Sequence, residues 1–371
     1  MYNLVAPCLF GLESLVADEL KQMGAENVSA QNGRVLFTGD DRVLVRANLW
    51  SRYAERIQIS LGSFTAKSFS ELFDNVKKIP FEKYIEVLDA FPVKGWSVNS
   101  ALHSIPDCQS IIKKAIVNRL AEKYKVSWFQ ETGVKKQISF SILKDNVTLT
   151  LETSGEGLHK RGYRKNSNDA PIKETLAAAM VKLARIYDDS VVYDPFCGSG
   201  TILIEAALMA KNIAPGLRRG FAAEKYHFID STVWQLERAR AQDMINHDIP
   251  FRAVGSDIDK TCVELTLENA QKAGVAKCFD LSVADIKDFS LTTPRAIVIT
   301  NPPYGERMLD TEKARKIEQT MGKVFIKQKG YRYIVISQDE EFEKQFGRTA
   351  DKRRKLYNGN LKCQLYMYFK V

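Results

Sequence analysis

Val191-Val192-Tyr193-Asp194-Pro195-Phe196-Cys197-Gly198-Ser199-Gly200-Thr201 is the stretch on which the fold of this 371-residue chain turns. Val191 to Tyr193 predicts a short buried strand, Gly198 and Gly200 a tight turn, and the apolar run Ile202 to Ala210 a helix. A strand, a glycine turn and a helix in immediate succession place exposed backbone amides at the helix start, where they can face a polar ligand group. A dinucleotide-binding turn would need a third glycine and an acidic residue about 20 positions later. Leu203 holds the third-glycine position, and the first acid ending the next strand is Asp257. No lysine follows the glycines, which excludes a P-loop.

The acid at Asp194 would repel a pyrophosphate but suits a cationic amino-acid moiety. S-Adenosylmethionine has that charge. Further along, Asp257 ends a second strand in Gly255-Ser256-Asp257-Ile258-Asp259, placed to take ribose hydroxyls. Asp285 follows a third in Val283-Ala284-Asp285-Ile286, placed to accept an adenine amino group. Phe196, Gly198, Gly200, Thr201 and Asn301 complete the expected cofactor set. The competing role for Asp257 and Asp285 is to cap the helices that follow them.

Strand and helix signals alternate from Ser190 onward: strands at Val191–Tyr193, Arg252–Gly255, Leu281–Val283, Ala296–Thr300 and Tyr331–Ser337, and helices at Thr201–Ala210, Cys262–Ala273 and Glu312–Gln328. The pattern predicts an α/β, doubly wound, mostly parallel sheet, Rossmann-like in class. Leu361 to Val371, after Asn358-Gly359-Asn360, predicts an antiparallel hairpin at its edge. The fourth strand delivers Asn301-Pro302-Pro303-Tyr304 to the carboxyl edge, where open α/β sheets bind ligands. An exocyclic amine is a poor nucleophile because its lone pair is delocalised into the ring. Asn301 and the carbonyl of Pro302 can accept its N–H bonds, Pro302 and Pro303 fix the backbone, and Tyr304 can stack on a base.

The first half reads as a small α+β region. A helix is expected at Leu12–Met23, strands at Gly33–Phe37 and Ile57–Leu61, and a helix at Phe69–Lys78. A further helix is expected at Gln109–Lys123, followed by a hairpin of Gln137–Leu143 and Asn146–Glu152 turning at Lys144-Asp145. Hydrophobic residues make up 45% of the chain and charged residues 27%, the balance of an ordinary globular protein. No apolar run is long enough to span a bilayer and no signal-peptide pattern opens the chain, so the expected location is the cytoplasm. The six cysteines show no metal-ligand spacing, and neither a metal nor a disulfide framework is expected. The 54 Lys plus Arg against 45 Asp plus Glu give a net charge of +9, which favours a polyanionic partner. Cations concentrate at Lys160–Lys165 and from Lys344 to Lys362. Arg161, Arg164, Lys165, Arg307, Lys352, Arg353, Arg354 and Lys355 are the candidate contacts to that partner. His103, His159, His227 and His247 are unclustered and read as structural or surface residues, and Trp96, Trp128 and Trp234 as packing residues.

Taken together, these motifs resemble the bacterial THUMP-containing class I methyltransferases, most closely the 23S ribosomal RNA guanine-N2 methyltransferase group. The resemblance extends to Pro7-Cys8-Leu9-Phe10-Gly11-Leu12-Glu13, Arg46-Ala47-Asn48-Leu49-Trp50, Leu158-His159-Lys160-Arg161-Gly162-Tyr163-Arg164 and Ala170-Pro171-Ile172-Lys173-Glu174. It implies a ferredoxin-like segment at 1–52, a THUMP RNA-binding domain at 53–155 and a catalytic domain with its linker at 156–371. By the same resemblance Pro171 to Thr175 lies on the cofactor side, and the second catalytic domain of the longest members is lacking. It implies transfer of a methyl group from S-adenosylmethionine to the N2 amine of a guanine in ribosomal RNA; a monomer is assumed, since the sequence does not set the oligomeric state. Adenine-N6 methylation of RNA or DNA, and guanine-N2 methylation of tRNA, would use the same loops. A non-catalytic RNA-binding or assembly protein is the reading from a different class.

Overall fold

The computed structural model describes residues 1–164, 172–187, 189–294, 296–303, 311–328, 330–359 and 361–369. The first half runs β1 (Tyr2–Pro7), α1 (Glu13–Gln22), β2 (Glu26–Gln31), β3 (Arg34–Gly39), α2 (Asp41–Trp50), β4 (Gln58–Thr65), α3 (Phe69–Lys77), β5 (Val93–Val98), α4 (Ile105–Tyr124), β6 (Ile138–Leu143) and β7 (Asn146–Glu152). Its strands form one sheet in the order β2-β3-β1-β4-β7-β6-β5. The segments expected at 1–52 and 53–155 share that sheet, because β4 pairs with β1 on one side and β7 on the other. Local signals set the elements. Asp40 caps α2 by accepting from the Val43 N–H, and Ser68 caps α3 through the Glu71 N–H. Lys144 and Asp145 take φ of 50° and 63°, the left-handed pair that a two-residue hairpin requires.

The second half runs α5 (Glu174–Ala184), β8 (Val191–Asp194), α6 (Thr201–Ala210), α7 (Ser231–Asp243), β9 (Arg252–Asp257), α8 (Lys260–Ala273), β10 (Phe279–Val283), β11 (Ile297–Thr300), α9 (Thr311–Ile326), β12 (Arg332–Ser337), α10 (Phe342–Phe346), β13 (Lys352–Asn358) and β14 (Leu361–Tyr368). The sheet order is β10-β9-β8-β11-β12-β14-β13. The first five strands are parallel, and β14 and β13 are antiparallel, as the expected edge hairpin requires. The strand order reverses at β8, which has β9 on one side and β11 on the other. The carboxyl ends of β8 and β11 therefore flank the crevice where such sheets hold ligands.

One continuous apolar core runs from Leu4 and Phe37 in the first sheet through α5 and α6 to Ile299 and Leu365 in the second. A second core, on the other side of β11, β12 and β14, is built from aromatics: Phe325 stacks on Tyr333 at 4.5 Å, Phe342 on Tyr366 at 4.5 Å and Phe346 on Tyr368 at 4.6 Å. Polar ties also cross between the halves. Arg46 meets Glu237 through both carboxylate oxygens. Lys136, fully buried, lies 2.6 Å from Asp89 and 3.0 Å from His227 Nδ1. Among the described residues no helix is long and apolar enough to cross a membrane.

Candidate active site

The glycine turn is braced from three directions. Gly198 donates its N–H to Asp257 Oδ2 at 3.0 Å, and its carbonyl accepts from Thr266 Oγ1 at 2.9 Å. The Ser199 carbonyl accepts from Asn269 Nδ2 at 2.9 Å. Gly200 has φ +77°, and a Cβ there would lie 2.7 Å from Thr266 Cγ2, so conformation and space both require glycine. Thr266 and Asn269 lie on the inner face of α8, fully buried. Asp257, which ends the second strand, thus meets a turn held rigid from behind by α8.

Asp194 is buried at the end of β8, and its Oδ1 accepts from Thr300 Oγ1 at 2.7 Å and from the Phe196 N–H at 3.1 Å. Burial pushes its carboxyl up to about 7, with the nearby Asp257 charge adding to the rise. The bond to Thr300 latches the glycine turn to the residue just before Asn301, because β11 pairs directly with β8. Asn301 and Pro303 are half-buried and Pro302 is buried, at the carboxyl edge beside the turn. Asp257 also accepts the Asp259 N–H at 3.1 Å. Asp285 does cap the turn after it, accepting the Lys287 N–H at 3.0 Å, which lowers its pKa. A carboxylate has about four acceptor sites, so capping leaves Asp257 and Asp285 able to take ligand hydroxyls or amines as well. Among the described residues no cation pairs with Asp194 or Asp257. Two such carboxylates beside a glycine turn fit the ammonium and ribose diol of S-adenosylmethionine.

The expected contacts to a polyanion divide. Arg161 is buried, 3% exposed; it donates to the Leu158 and Arg52 carbonyls, each at 2.7 Å, and lies 3.4 Å from Glu205. Fully occupied behind the linker, it joins α6 to the first half and offers no charge to a ligand, which corrects the expectation for it. Arg164 is likewise turned inward: Nη1 donates to the Ile172 carbonyl at 3.0 Å and Thr201 Oγ1 at 3.1 Å, and Nη2 meets Glu174 at 3.2 Å. It clasps the starts of α5 and α6 together beside the glycine turn. Arg354 reaches the Gly11 carbonyl at 2.5 Å and Ser14 Oγ at 3.2 Å, so it docks β13 on the first half. Arg353 pairs with Glu343. Lys352 and Lys355 are exposed. Tyr304, Arg307, Lys165 and Pro171 lie outside the described residues.

Four residues of the site were not found by sequence reasoning: Thr300, Thr266, Asn269 and, as a brace, Arg164. Thr300 was discoverable, being the last residue of a strand whose next residue was already singled out. The tryptophans need correction too. Trp234 is buried and stacks on Phe221 at 5.2 Å, but Trp96 and Trp128 are 47% and 79% exposed.

A parallel sheet of this order, with a glycine turn after its first strand, acids ending its next two and an Asn-Pro-Pro loop after its fourth, defines a class I methyltransferase. An RMKL-like methyltransferase domain matches residues 161–367, preceded by an RlmL ferredoxin-like domain at 3–58 and a THUMP domain at 66–152. The chain belongs to the RMKL-like methyltransferase family. The "Putative RNA methyltransferase YpsC" of Bacillus subtilis (strain 168) is 42% identical over 370 residues, 99% of this chain and 96% of that one. The "Ribosomal RNA large subunit methyltransferase K/L" of Psychromonas ingrahamii is 34% identical over 382 residues, 99% of this chain and 50% of that one, so this chain spans about half its length. The crystal structure of SMU.472 complexed with SAH is 40% identical, with a TM-score of 0.94 over 100% of this chain and 98% of that one.

Proposed function

We propose that this protein transfers a methyl group from S-adenosylmethionine to the exocyclic N2 amine of a guanine in ribosomal RNA, the 23S RNA in particular, and does so in the cytoplasm. The observation that carries the proposal is the Thr300–Asp194 bond, which ties Asn301-Pro302-Pro303 to the cofactor turn at the crevice of the sheet. When bound, S-adenosylmethionine supplies an electrophilic methyl group on a sulfonium. Asp194 meets its ammonium, Asp257 its ribose and Asp285 its adenine amine, while Gly198 and Gly200 let the backbone approach closely. Asn301 Oδ1 and the Pro302 carbonyl accept the two N–H bonds of the target amine, which turns its lone pair toward the methyl group. An amide side chain does not take a proton at neutral pH, so the residues act by orientation and electrostatics, and the proton leaves to water. RNA as substrate is supported by the THUMP domain and by the names of the two relatives, and ribosomal RNA by the second.

The test is tritium transfer from labelled S-adenosylmethionine to ribosomal RNA from a strain lacking the protein, followed by nucleoside analysis. Label in N2-methylguanosine of large-subunit RNA, lost in Asn301→Ala, is the expected result. Label in methyladenosine or in tRNA would overturn the assignment of the target, and no transfer to any nucleic acid would overturn the reading.

A further inference from the structure

Near β5 and β6 one face of the first sheet packs against α3 and α4, and on the other Trp96, Val98 and Leu143 are exposed, while Thr150, nearer the centre of the sheet, is buried. Ile138, Phe140 and Ile142 of β6 and Val147, Leu149 and Leu151 of β7 point inward and are buried with α3 and α4 in the main core. Because side chains alternate along a strand, the register places the remaining residues in three rows on the opposite face. Ser60, Thr150, Ser139 and Lys94 form one row, Ser63, Thr148, Ser141 and Trp96 the next, and Thr65, Asn146, Leu143 and Val98 the third. β5 ends the sheet. Its register cannot slip by one residue, since Gly95 faces inward where a Cβ would lie 2.2 Å from the Phe140 carbonyl oxygen. The indole of Trp96, 47% exposed, is therefore held outward, as are Val98 and Leu143 at 47% each.

We propose that this open face, centred on Trp96, is a docking surface for a single-stranded stretch of RNA. The inference rests on the RNA reading above and adds the surface that holds the strand. Four features select that occupant. An outward indole on a flat sheet offers a stacking platform that any base can use. Ser63, Thr148 and Ser141, in line with it, offer hydroxyls to sugars and phosphates; Ser63 Oγ and Thr148 Oγ1 already lie 3.4 Å apart. Exposed Lys94 precedes Trp96 by two residues on the same edge strand, and Lys144 lies at the hairpin tip beyond Leu143. None of the twelve positions in the three rows is an acid, so a polyanion meets no repulsion there, in a chain of net charge +9.

The experiment measures anisotropy of a short fluorescent single-stranded RNA of mixed sequence, and of the same sequence as a duplex, with the full chain and its Trp96→Ala and Trp96→Phe variants. Calorimetric affinity for S-adenosylmethionine, expected to be unchanged in both, reports that each variant is folded. Trp96→Ala is expected to weaken single-strand binding about tenfold, the effect of losing one stacked base, while Trp96→Phe keeps most of the affinity. Single-strand affinity for Trp96→Ala within about twofold of the parent would overturn the proposal. So would a concentration-dependent dimer in sedimentation that Trp96→Ala abolishes without changing RNA affinity, since the face would then be a contact between copies of the chain. The readout is binding, so label appearing in an unexpected nucleoside would defeat the guanine-N2 reading and leave this one standing.

Discussion

Asp194 keeps its proton to about pH 7 in the folded chain, because burial opposes its charge, whereas an unfolded aspartate loses it near 3.8. The folded state therefore binds more protons between those values, and this group's contribution to stability falls as pH rises through that window. A cationic ligand beside Asp194 favours the ionised form. Affinity for S-adenosylmethionine is thus expected to rise about tenfold between pH 6 and pH 8, with proton release on binding at the lower end. Calorimetry in buffers of different ionisation enthalpy measures both. Asp194→Asn should flatten the profile, weaken binding and make the ligand-free protein more stable at pH 8; an unchanged slope would remove Asp194 from the explanation. Arg164 acts on the same site from behind, its fork reaching the Ile172 carbonyl, Thr201 and Glu174 at once. A single ammonium cannot reproduce that fork. Both Arg164→Ala and Arg164→Lys are expected to raise the Kd for S-adenosylmethionine roughly tenfold, the order of effect of removing a residue that orients a ligand-holding group. Their affinity for RNA should stay at the parent value, and a loss of RNA affinity instead would return Arg164 to the polyanion surface.

At the level of elements, Gly11 joins the first half to the edge hairpin. Its φ is +89°, and a Cβ there would lie 2.8 Å from the Lys355 carbonyl oxygen, directly against β13. Gly11→Ala must strain the loop or push β13 away, and is expected to cost about 1–3 kcal/mol, read as a lower urea midpoint at unchanged m. Protease cleavage should appear first in the hairpin; cleavage confined to the first half would argue against this docking. The same strand shows where sequence stopped being informative. Lys352-Arg353-Arg354-Lys355 reads as a uniform basic patch, but Arg354 is tied to Gly11 and Ser14 and Arg353 to Glu343, which leaves Lys352 and Lys355 as the exposed cations of this edge strand, where they also deter pairing with other strands. β2, Glu26–Gln31, is almost wholly exposed and has no apolar alternation to read. α7 buries only Trp234, Glu237 and Ala241, too few for a helical stripe. The glycine turn, the Asn-Pro-Pro loop and the terminal hairpin were legible because their residue types answer to backbone geometry and local chemistry. Thr266 and Asn269 answer to partners far away in the chain, which no local pattern encodes.

Across the whole molecule, the two halves are joined by a buried polar network as well as by apolar packing. Glu19 of α1 accepts from Ser51 Oγ and the Arg52 N–H, and Arg52 Nη2 donates to the Ile213 carbonyl at 2.9 Å. Arg161 from the linker lies 3.4 Å from Glu205, which also accepts from Tyr163 OH at 3.1 Å. Glu205 is fully buried on α6, one turn beyond the glycine loop. The residue that compensates the buried Arg161 thus belongs to the helix that follows the glycine turn, and the first half cannot part from α6 without exposing both. Removing one partner of such a pair leaves an uncompensated charge, and Glu205→Ala is expected to destabilise the fold by about 3–5 kcal/mol. Because the network and the main core both run through the interface, the loss should lower hydrogen-exchange protection in β4 and in β8 together, with the halves unfolding in one transition. Protection lost around β8 alone, with β4 unchanged, would mean that the halves are independent folding units that merely touch. Binding of RNA by the first half would then have no mechanical route to the cofactor turn.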